Sequence, residues 1–427
     1  MTAETRSARS AFPLSATEID AAAKRIAAVV KPTPLQLSDR LSAIAGASVY
    51  LKREDLQVVR SYKLRGAYNL MVQLPEREVA AGVVCASAGN HAQGFAYACR
   101  TLGVHGRVYV PAKTPKQKRD RILYHGGEFI DLIVGGSTYE EAAEAALDDV
   151  RSTGATLVPA YDDLRTMAGQ GTIAVEVLSQ LGGEPDVMVV PVGGGGCIAG
   201  ITTYLAERTS GTSLLGVEPA GAASMMASLV AGRPVTLPVV DQFVDGAAVA
   251  RVGTLTYETL AAAGDMVSIT AVDEGAVCTT MLDLYQNEGI IAEPAGALSV
   301  AGLLEADIEP GSTVVCLISG GNNDVSRYDE VLERSLVHLG LKHYFLVDFP
   351  QEPGALRHFL DGVLGPSDDI TLFEYVKRNN RDTGTALVGI ELSSAADLPG
   401  LLDRMAASGI RVETLHPDSP AYRYLLL

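Results

Sequence analysis

Short, continuous apolar runs alternate along this chain with longer segments of helical period, and that alternation limits the fold more than any other feature. The runs lie at 83–85, 107–110, 128–134, 187–192, 214–217 and 313–318. None is long enough for a buried helix. None alternates apolar with polar residues, as a strand wetted on one face would. Segments of helical period fall between them, among them 91–102, 139–152 and 169–181. Parallel strands need a crossover of about a dozen residues or more, and a helix supplies it. The pattern therefore predicts α/β architecture, with parallel sheets covered by helices on both faces. Ahead of the first run, Ser15-Ala-Thr-Glu18 reads as a capping box for a helix carrying Ile19, Ala23, Ile26, Ala27 and Val30 on one face. Lys31-Pro-Thr-Pro34 ends it.

Near residue 340 the pattern changes. Strands are expected at 343–349, 370–378, 386–392 and 411–415, and helices at 353–364 and 398–408. Asn379-Asn-Arg-Asp-Thr-Gly384 reads as a polar turn between the middle strands. The order βαββαβ predicts a ferredoxin-like α+β unit. It holds no cluster of reactive side chains, so it reads as a binding module. The expected division is 1–338 for a catalytic part, with a small subdomain at roughly 60–155 inserted in it, and 339–427 for the module.

The formal net charge of −17 argues against a nucleic-acid partner, which requires basic surface. Cys85, Cys99, Cys197, Cys278 and Cys316 are odd in number and form no CxxC pair, which predicts buried free thiols. The first fifteen residues lack the core of a signal peptide, and no apolar run is long enough to span a bilayer. A cytoplasmic enzyme without membrane association is the expectation.

Four segments rich in Gly or Ser carry the chemistry. In Ser61-Tyr-Lys-Leu-Arg-Gly-Ala67, Ser61 is expected to cap a helix and to place Lys63 in its first turn. Burial and the positive helix end would favour the neutral amine that attack on an aldehyde requires. A surface lysine on an amphipathic helix is the competing reading. Ser87-Ala-Gly-Asn-His-Ala-Gln-Gly94 joins a strand to a helix, and its N–H groups form a site suited to a carboxylate. A capped helix start with an ordinary His91 is equally consistent. Gly193-Gly-Gly-Gly-Cys-Ile-Ala-Gly200 can wrap a phosphate. It also fits a dinucleotide fingerprint through Gly194, Gly196 and Ala199, with Glu218 placed to bind a ribose. Ser319-Gly-Gly-Asn-Asn323 puts a hydroxyl at the end of a strand, where it could meet a pyridine nitrogen or simply stabilise a turn. Taken jointly, a lysine nucleophile, a phosphate cradle, a carboxylate cradle and a neutral pyridine partner form the inventory of a pyridoxal 5'-phosphate site.

In this order, SYKLRGA, CASAGNHAQG, VGGGGCIAG and ISGGN resemble the serine/threonine dehydratases, fold-type II pyridoxal-phosphate enzymes of the tryptophan-synthase β-like fold. The resemblance covers about residues 15–335. The remainder resembles a single ACT-like regulatory domain of biosynthetic threonine deaminases, entered through Gln351-Glu-Pro-Gly-Ala-Leu356. The resemblance implies that Lys63 carries the cofactor and takes the α-proton, that Tyr62 packs beside the ring, and that Asn90 meets its phenolic oxygen. It implies that Gly193, Gly194, Gly195, Gly196 and Cys197 hold the phosphate and that Ser319 faces the ring nitrogen. Ser87, Ala88, Gly89, Asn90 and His91 would hold the substrate carboxylate, with Glu293 nearby. L-threonine, or L-serine, would be the substrate, isoleucine and possibly valine the effectors, and a tetramer or dimer the assembly. Related racemases have a second serine where Ala88 stands, which disfavours racemisation. Glu218-Pro-Ala-Gly-Ala222 is followed by Ala223 and Ser224 and lacks the aspartate of metal-binding members, so no divalent metal is expected. Three other readings stand beside this one: a catabolic dehydratase or racemase of the same fold, a nicotinamide oxidoreductase, and an amino-acid sensor that uses only 340–427.

Overall fold

The structure is a computed structural model and describes residues 12–376, 382–416, 419 and 422. It divides into two compact units, residues 1–323 and 324–427.

Ten strands build the larger unit: β1 (Leu35–Leu37), β2 (Ser48–Arg53), β3 (Val83–Ala86), β4 (Gly106–Val110), β5 (Ile130–Val134), β6 (Thr156–Leu157), β7 (Val187–Pro191), β8 (Ser213–Pro219), β9 (Val267–Val272) and β10 (Thr313–Ile318). They form a six-stranded sheet, β1-β2-β10-β7-β8-β9, and a four-stranded sheet, β5-β4-β3-β6. The four-stranded sheet is parallel throughout, and in the six-stranded sheet only the β1/β2 pair is antiparallel. The chain enters the small sheet after β2 and returns to the large one at β7, so the small sheet is an insertion.

All six expected runs are strands. The run at 128–134 starts later, at Ile130, because Gly127–Phe129 forms a 3₁₀ turn. Four strands escaped the pattern. β1 and β6 are too short to show a period. β9 is an edge strand and only partly buried. β2 is interrupted by Lys52, which is nevertheless fully buried. The capping box is formed: Ser15 Oγ accepts from Glu18 N (3.3 Å), and Ser15 N donates to Glu18 Oε2 (2.9 Å).

Lys52 belongs to a charged cluster that locates the helix Lys63–Met71. Arg65 Nε and Nη2 donate to the two oxygens of Glu54, each at 2.8 Å, and Arg65 Nη1 donates to Glu176 Oε1 (2.7 Å) and Thr172 Oγ1 (3.0 Å). Lys52 Nζ donates to the other Glu176 oxygen (2.5 Å), to Thr33 O (2.7 Å) and to Gln180 Oε1 (3.0 Å). Burial works to raise the pKa of Glu54, but Arg65 and Lys52 outweigh it and hold the carboxylate ionised. Residues Leu64–Met71 of this helix are all buried. Two glycines let neighbouring helices reach its backbone. A Cβ on Gly94 would lie 2.9 Å from Leu64 N, and one on Gly169 would lie 2.5 Å from Arg65 O.

The smaller unit contains β11 (Lys342–Pro350), β12 (Asp369–Tyr375), β13 (Thr383–Glu391) and β14 (Arg411–Leu415) in an antiparallel sheet ordered β12-β13-β11-β14. With the helices Ala355–Val363 and Leu398–Ala407 this is the ferredoxin-like order, and Phe345, Val347, Phe349, Phe359, Leu401 and Met405 share its core. Residues 377–381 of the expected 379–384 turn lie outside the described residues. The helix Tyr328–His338 also packs in this unit, because Glu333 accepts from Lys342 Nζ and Tyr344 Oη, both at 2.5 Å. All five cysteines are free and buried. No described helix is long and apolar enough to cross a membrane.

Replacing Arg65 with Met would deprive buried Glu54 of the counter-charge that hydrogen-bonds both its oxygens. A loss of about 3–5 kcal/mol is expected in urea unfolding. Arg65→Lys keeps the charge but not the fork, so its unfolding midpoint should fall between those of the native chain and Arg65→Met.

Candidate active site

The strand end of β10 is tied to the loop before Lys63. Tyr62 N donates to Ser319 O (3.2 Å), Gly321 N donates to Arg60 O (2.9 Å), and Ser61 pairs with Gly320 in an isolated bridge. Arg60 takes a left-handed backbone with φ 56°, unusual for a residue with a side chain. Ser61 does not cap the helix as expected. The helix starts at Lys63 with Tyr62 as N-cap and no side-chain capping bond, while Ser61 Oγ is buried without a partner. Serine side chains cap from the position directly before the first helical residue, and that position belongs to Tyr62.

Lys63 Nζ donates to Ala160 O (3.2 Å) and lies 5.1 Å from the centre of the Tyr62 ring. Burial lowers its pKa to about 8, against the opposing pull of Cys197 and Glu293. The same burial pushes the Tyr62 phenol well up and the Cys197 thiol up to about 12. Near neutral pH the thiol is therefore uncharged, and the amine is easily deprotonated.

Across the site, β3 ends in the loop that opens the helix Asn90–Leu102. Asn90 Nδ2 donates to Glu293 Oε1 (2.5 Å), and Asn90 Oδ1 accepts from Asn322 Nδ2 (2.8 Å). Glu293 is only 4 % exposed, and burial, reinforced by Asp245, raises it to about 7. His91 Nε2 lies 2.7 Å from Val158 O, and because a carbonyl only accepts, Nε2 carries the proton. His91 Nδ1 is buried without a partner, and burial together with Lys63 pushes the ring down to about 4. Two N–H groups of the loop are already used: Ser87 N donates to Tyr109 O (3.2 Å) and Gly89 N to Ser87 Oγ (3.3 Å). The helical ladder begins with Gln93 N donating to Gly89 O (3.3 Å), which leaves the N–H groups of Asn90 and His91 outside it.

Gly193 to Gly196 follow β7 and open the helix Gly196–Arg208. Gly195 has φ 90°, a conformation that a side chain would strain. A Cβ on Gly194 would meet the Tyr161 ring at 2.3 Å. Thr256 Oγ1 donates to Gly194 O (2.8 Å) and fixes the loop from the other side. The first-turn N–H groups of this helix have no partner in its own ladder, so the loop is a built site for a phosphate. Ser319 Oγ donates to Ala295 O (3.1 Å) at the end of β10. An amine near neutrality, a phosphate cradle, a second helix N-terminus and unpartnered buried acceptors together fit pyridoxal 5'-phosphate.

The dinucleotide alternative does not survive. Glu218 is fully buried, and its two oxygens accept from Met225 N (2.7 Å) and Met226 N (2.8 Å) at the start of the helix Ser224–Ala231. It secures that helix and cannot reach a ribose. Among the described residues no group of three His, Cys, Asp or Glu could hold a metal ion.

Sequence reasoning missed several groups here. Asn322 stood in a recognised segment but received no role, since only the fold places it against Asn90. Tyr161 and the Ala160 carbonyl lie in irregular backbone with no periodic signal. Lys118 reads in the sequence as part of a solvated basic face with Lys113, Lys116, Arg119 and Arg121, yet it forms an ion pair with Asp245.

Residues 26–320 match the family described as pyridoxal-phosphate dependent enzyme, and residues 333–425 match the C-terminal regulatory domain of threonine dehydratase. The chain is 84 % identical over 415 residues to the biosynthetic L-threonine dehydratase of Mycobacterium tuberculosis, covering 97 % of each chain. It is 50 % identical over 399 residues to that of Bacillus subtilis, covering 93 % of this chain and 94 % of the other. The solved structure of processed threonine deaminase isoform 2 from Solanum lycopersicum aligns with a TM-score of 0.69 at 38 % identity, over 75 % of this chain and 94 % of that one. Maize serine racemase aligns with a TM-score of 0.70 at 29 % identity, over 77 % and 99 %.

The raised carboxyls should leave a mark on stability. Glu218 and Glu293 both move from an ordinary 4.5 to about 7, so the folded chain holds their protons longer than the unfolded one. Their contribution is complete below about pH 4.5 and is lost as pH rises through about 7. His91 and His125, lowered to about 4, act in the opposite sense up to pH 6.5. The test is therefore a difference. In urea unfolding, the stability of Glu218→Gln relative to the native chain should rise steadily from pH 5 to pH 8. A constant difference would show that Glu218 does not titrate in this range.

Proposed function

We propose, for a chain that belongs to the pyridoxal-phosphate dependent enzymes and among them to the biosynthetic L-threonine dehydratases, that it converts L-threonine to 2-oxobutyrate and ammonia by eliminating the β-hydroxyl. The observation that carries this reading is the placement of Lys63. Its amine, lowered to about 8 by burial, donates to Ala160 O (3.2 Å) and feels the field of Cys197, at the glycine cradle, and of Glu293, which Asn90 holds.

The cofactor, when bound, supplies an electron sink for the pair left on the α-carbon when its proton departs. Lys63 would hold the cofactor, and its Nζ would take the α-proton of the substrate. Gly193, Gly194, Gly195, Gly196 and Cys197 would hold the phosphate through backbone N–H groups. Asn90 is fixed by Glu293 and Asn322, which leaves its second amide hydrogen for the phenolic oxygen. Tyr62 would pack beside the ring. Ser319 can turn its proton from Ala295 to the ring nitrogen and adds no charge there. The carboxylate of the substrate enters the loop Ser87, Ala88, Gly89, Asn90 and His91, where the N–H groups of Asn90 and His91 face it. Ala88 offers no hydroxyl for reprotonation from the opposite face, which favours elimination over racemisation. Glu293, raised to about 7 by burial, can gain or lose a proton close to Asn90 near neutral pH.

The regulatory reading rests on the ferredoxin-like unit and its family match over residues 333–425. Residues 339–427 sense isoleucine, with valine as the opposing effector, and the chain works in the cytoplasm as a dimer or tetramer. The catalytic part is the larger unit, with the small sheet as its inserted subdomain, and the expected boundary at 338 moves to 323 because the helix Tyr328–His338 packs with the smaller unit.

Purified protein should show a visible cofactor band that Lys63→Ala abolishes, and 2-oxobutyrate formation should fall on the order of 10³-fold or more. Turnover of serine but not threonine would overturn the substrate assignment. Isoleucine should raise the threonine concentration needed for half-saturation, and removal of residues 339–427 should erase that shift. An unchanged saturation curve would refute the regulatory role.

A further inference from the structure

Lys118 and Asp245 face each other from different layers of the larger unit. Lys118 lies on the helix Lys116–Gly126, which follows β4 of the small sheet. Asp245 lies in the irregular segment between the helices Ser224–Ala231 and Thr254–Ala263, which belong to the large sheet. Their ion pair therefore bridges the two sheets. It stands at the rim, with side chains 29 % and 37 % exposed. Lys116 is engaged with Asp120 on its own helix, so it does not compete for Asp245.

The residues after Asp245 run along the site. A Cβ on Gly246 would lie 2.8 Å from Ala295 Cβ and 3.7 Å from Glu293 Oε1, and a Cβ on Gly193 would lie 3.0 Å from Ala247 Cα. A turn holds this strap: Val244 O accepts from Ala247 N (2.8 Å) and Ala248 N (2.9 Å). Both charges of the pair act on Glu293, Asp245 raising it and Lys118 lowering it. The strap that carries Asp245 thus runs beside Glu293, which Asn90 holds, with the ion pair at its exposed end.

We propose that the Lys118–Asp245 pair is a specificity gate, opened by exchange with a zwitterionic α-amino acid whose ammonium pairs with Asp245 while its carboxylate pairs with Lys118. A zwitterion carries both charges on neighbouring atoms, so one broken ion pair is replaced by two. A molecule bearing a single charge leaves one partner uncompensated. This inference rests on the reading that an α-amino acid is the substrate, and it adds the groups that select for both charges at entry.

Steady-state kinetics on the cofactor-loaded enzyme test it. Lys118→Met and Asp245→Asn should each raise the KM for threonine about fivefold, the scale of a partly exposed ion pair, while kcat falls no more than about twofold. The exchanged pair Lys118→Asp with Asp245→Lys restores a bridge between the layers but presents each substrate charge with a like charge. Its KM should therefore stay raised. Return of KM to the native value in the exchanged pair would identify a structural clasp and overturn the gate, as would an unchanged KM in both single variants. The visible cofactor band reports that each variant is folded and loaded. Native enzyme that fails to turn over threonine refutes the substrate reading itself, whereas active native enzyme with indifferent variants refutes the gate alone.

Discussion

Two residues beyond Lys63, the guanidinium of Arg65 grips Glu54 through two parallel hydrogen bonds of 2.8 Å in the dry interior. The position of the reactive amine depends on that grip. A helix turns once every 3.6 residues, so fixing Arg65 fixes the direction in which Lys63 leaves the first turn. Buried ion pairs seldom stabilise a fold more than apolar packing would, because desolvation takes back the Coulomb gain. Their use here is registry. An apolar helix face can slide against its neighbours at small cost, whereas a planar fork cannot move without breaking its hydrogen bonds to Glu54 and Glu176. The glycines of the adjoining helices serve the same end, since Gly94 and Gly169 bring backbone against backbone where any side chain would hold the helices apart.

The same dry interior sets the chemistry. Burial acts on Lys63, His91, Cys197 and Glu293 alike, and in each it favours the uncharged form: lower for the amine and imidazole, higher for the thiol and carboxyl. One cause thus shifts all four groups toward their uncharged forms and brings the titrations of Lys63 and Glu293 close to neutral pH. Such a site suits a phosphate-bearing cofactor and a zwitterionic substrate, which bring charge with them. The helix N-terminus at Gly196 offers oriented N–H groups that can receive an anion without a fixed cation.

Much of this was legible in the sequence, and what was not has physical reasons. Strands buried on both faces are continuous apolar runs, so β3, β4, β7, β8 and β10 could be read directly. β2 could not, because the lysine that breaks its run is buried by partners from distant parts of the chain, among them Glu176. Lys63, Asn90, the glycine loop and Ser319 were visible because each sits where a regular element starts or ends. Asp245 and Tyr161 lie in irregular backbone, which leaves no periodic trace. Ser61 was misread by one position: a hydroxyl before a helix suggests a cap, but the bridge to Gly320 extends the chain through Ser61 and delays the helix to Lys63.

The glycine loop shows why a motif needs its surroundings. Gly194, Gly196 and Ala199, with Glu218 beyond the next strand, satisfy a dinucleotide fingerprint as well as a phosphate cradle, and nothing within those residues separates the two. The distinction lies in what the acid does. A ribose-binding carboxylate must end in the crevice with free lone pairs, whereas Glu218 is fully buried and accepts from two successive backbone amides of the helix it precedes. Of the helix starts after β7 and β8, the second is thus served by a carboxyl from the protein itself. The first, with no acidic side chain at its own entrance, is the one left for a phosphate to complete.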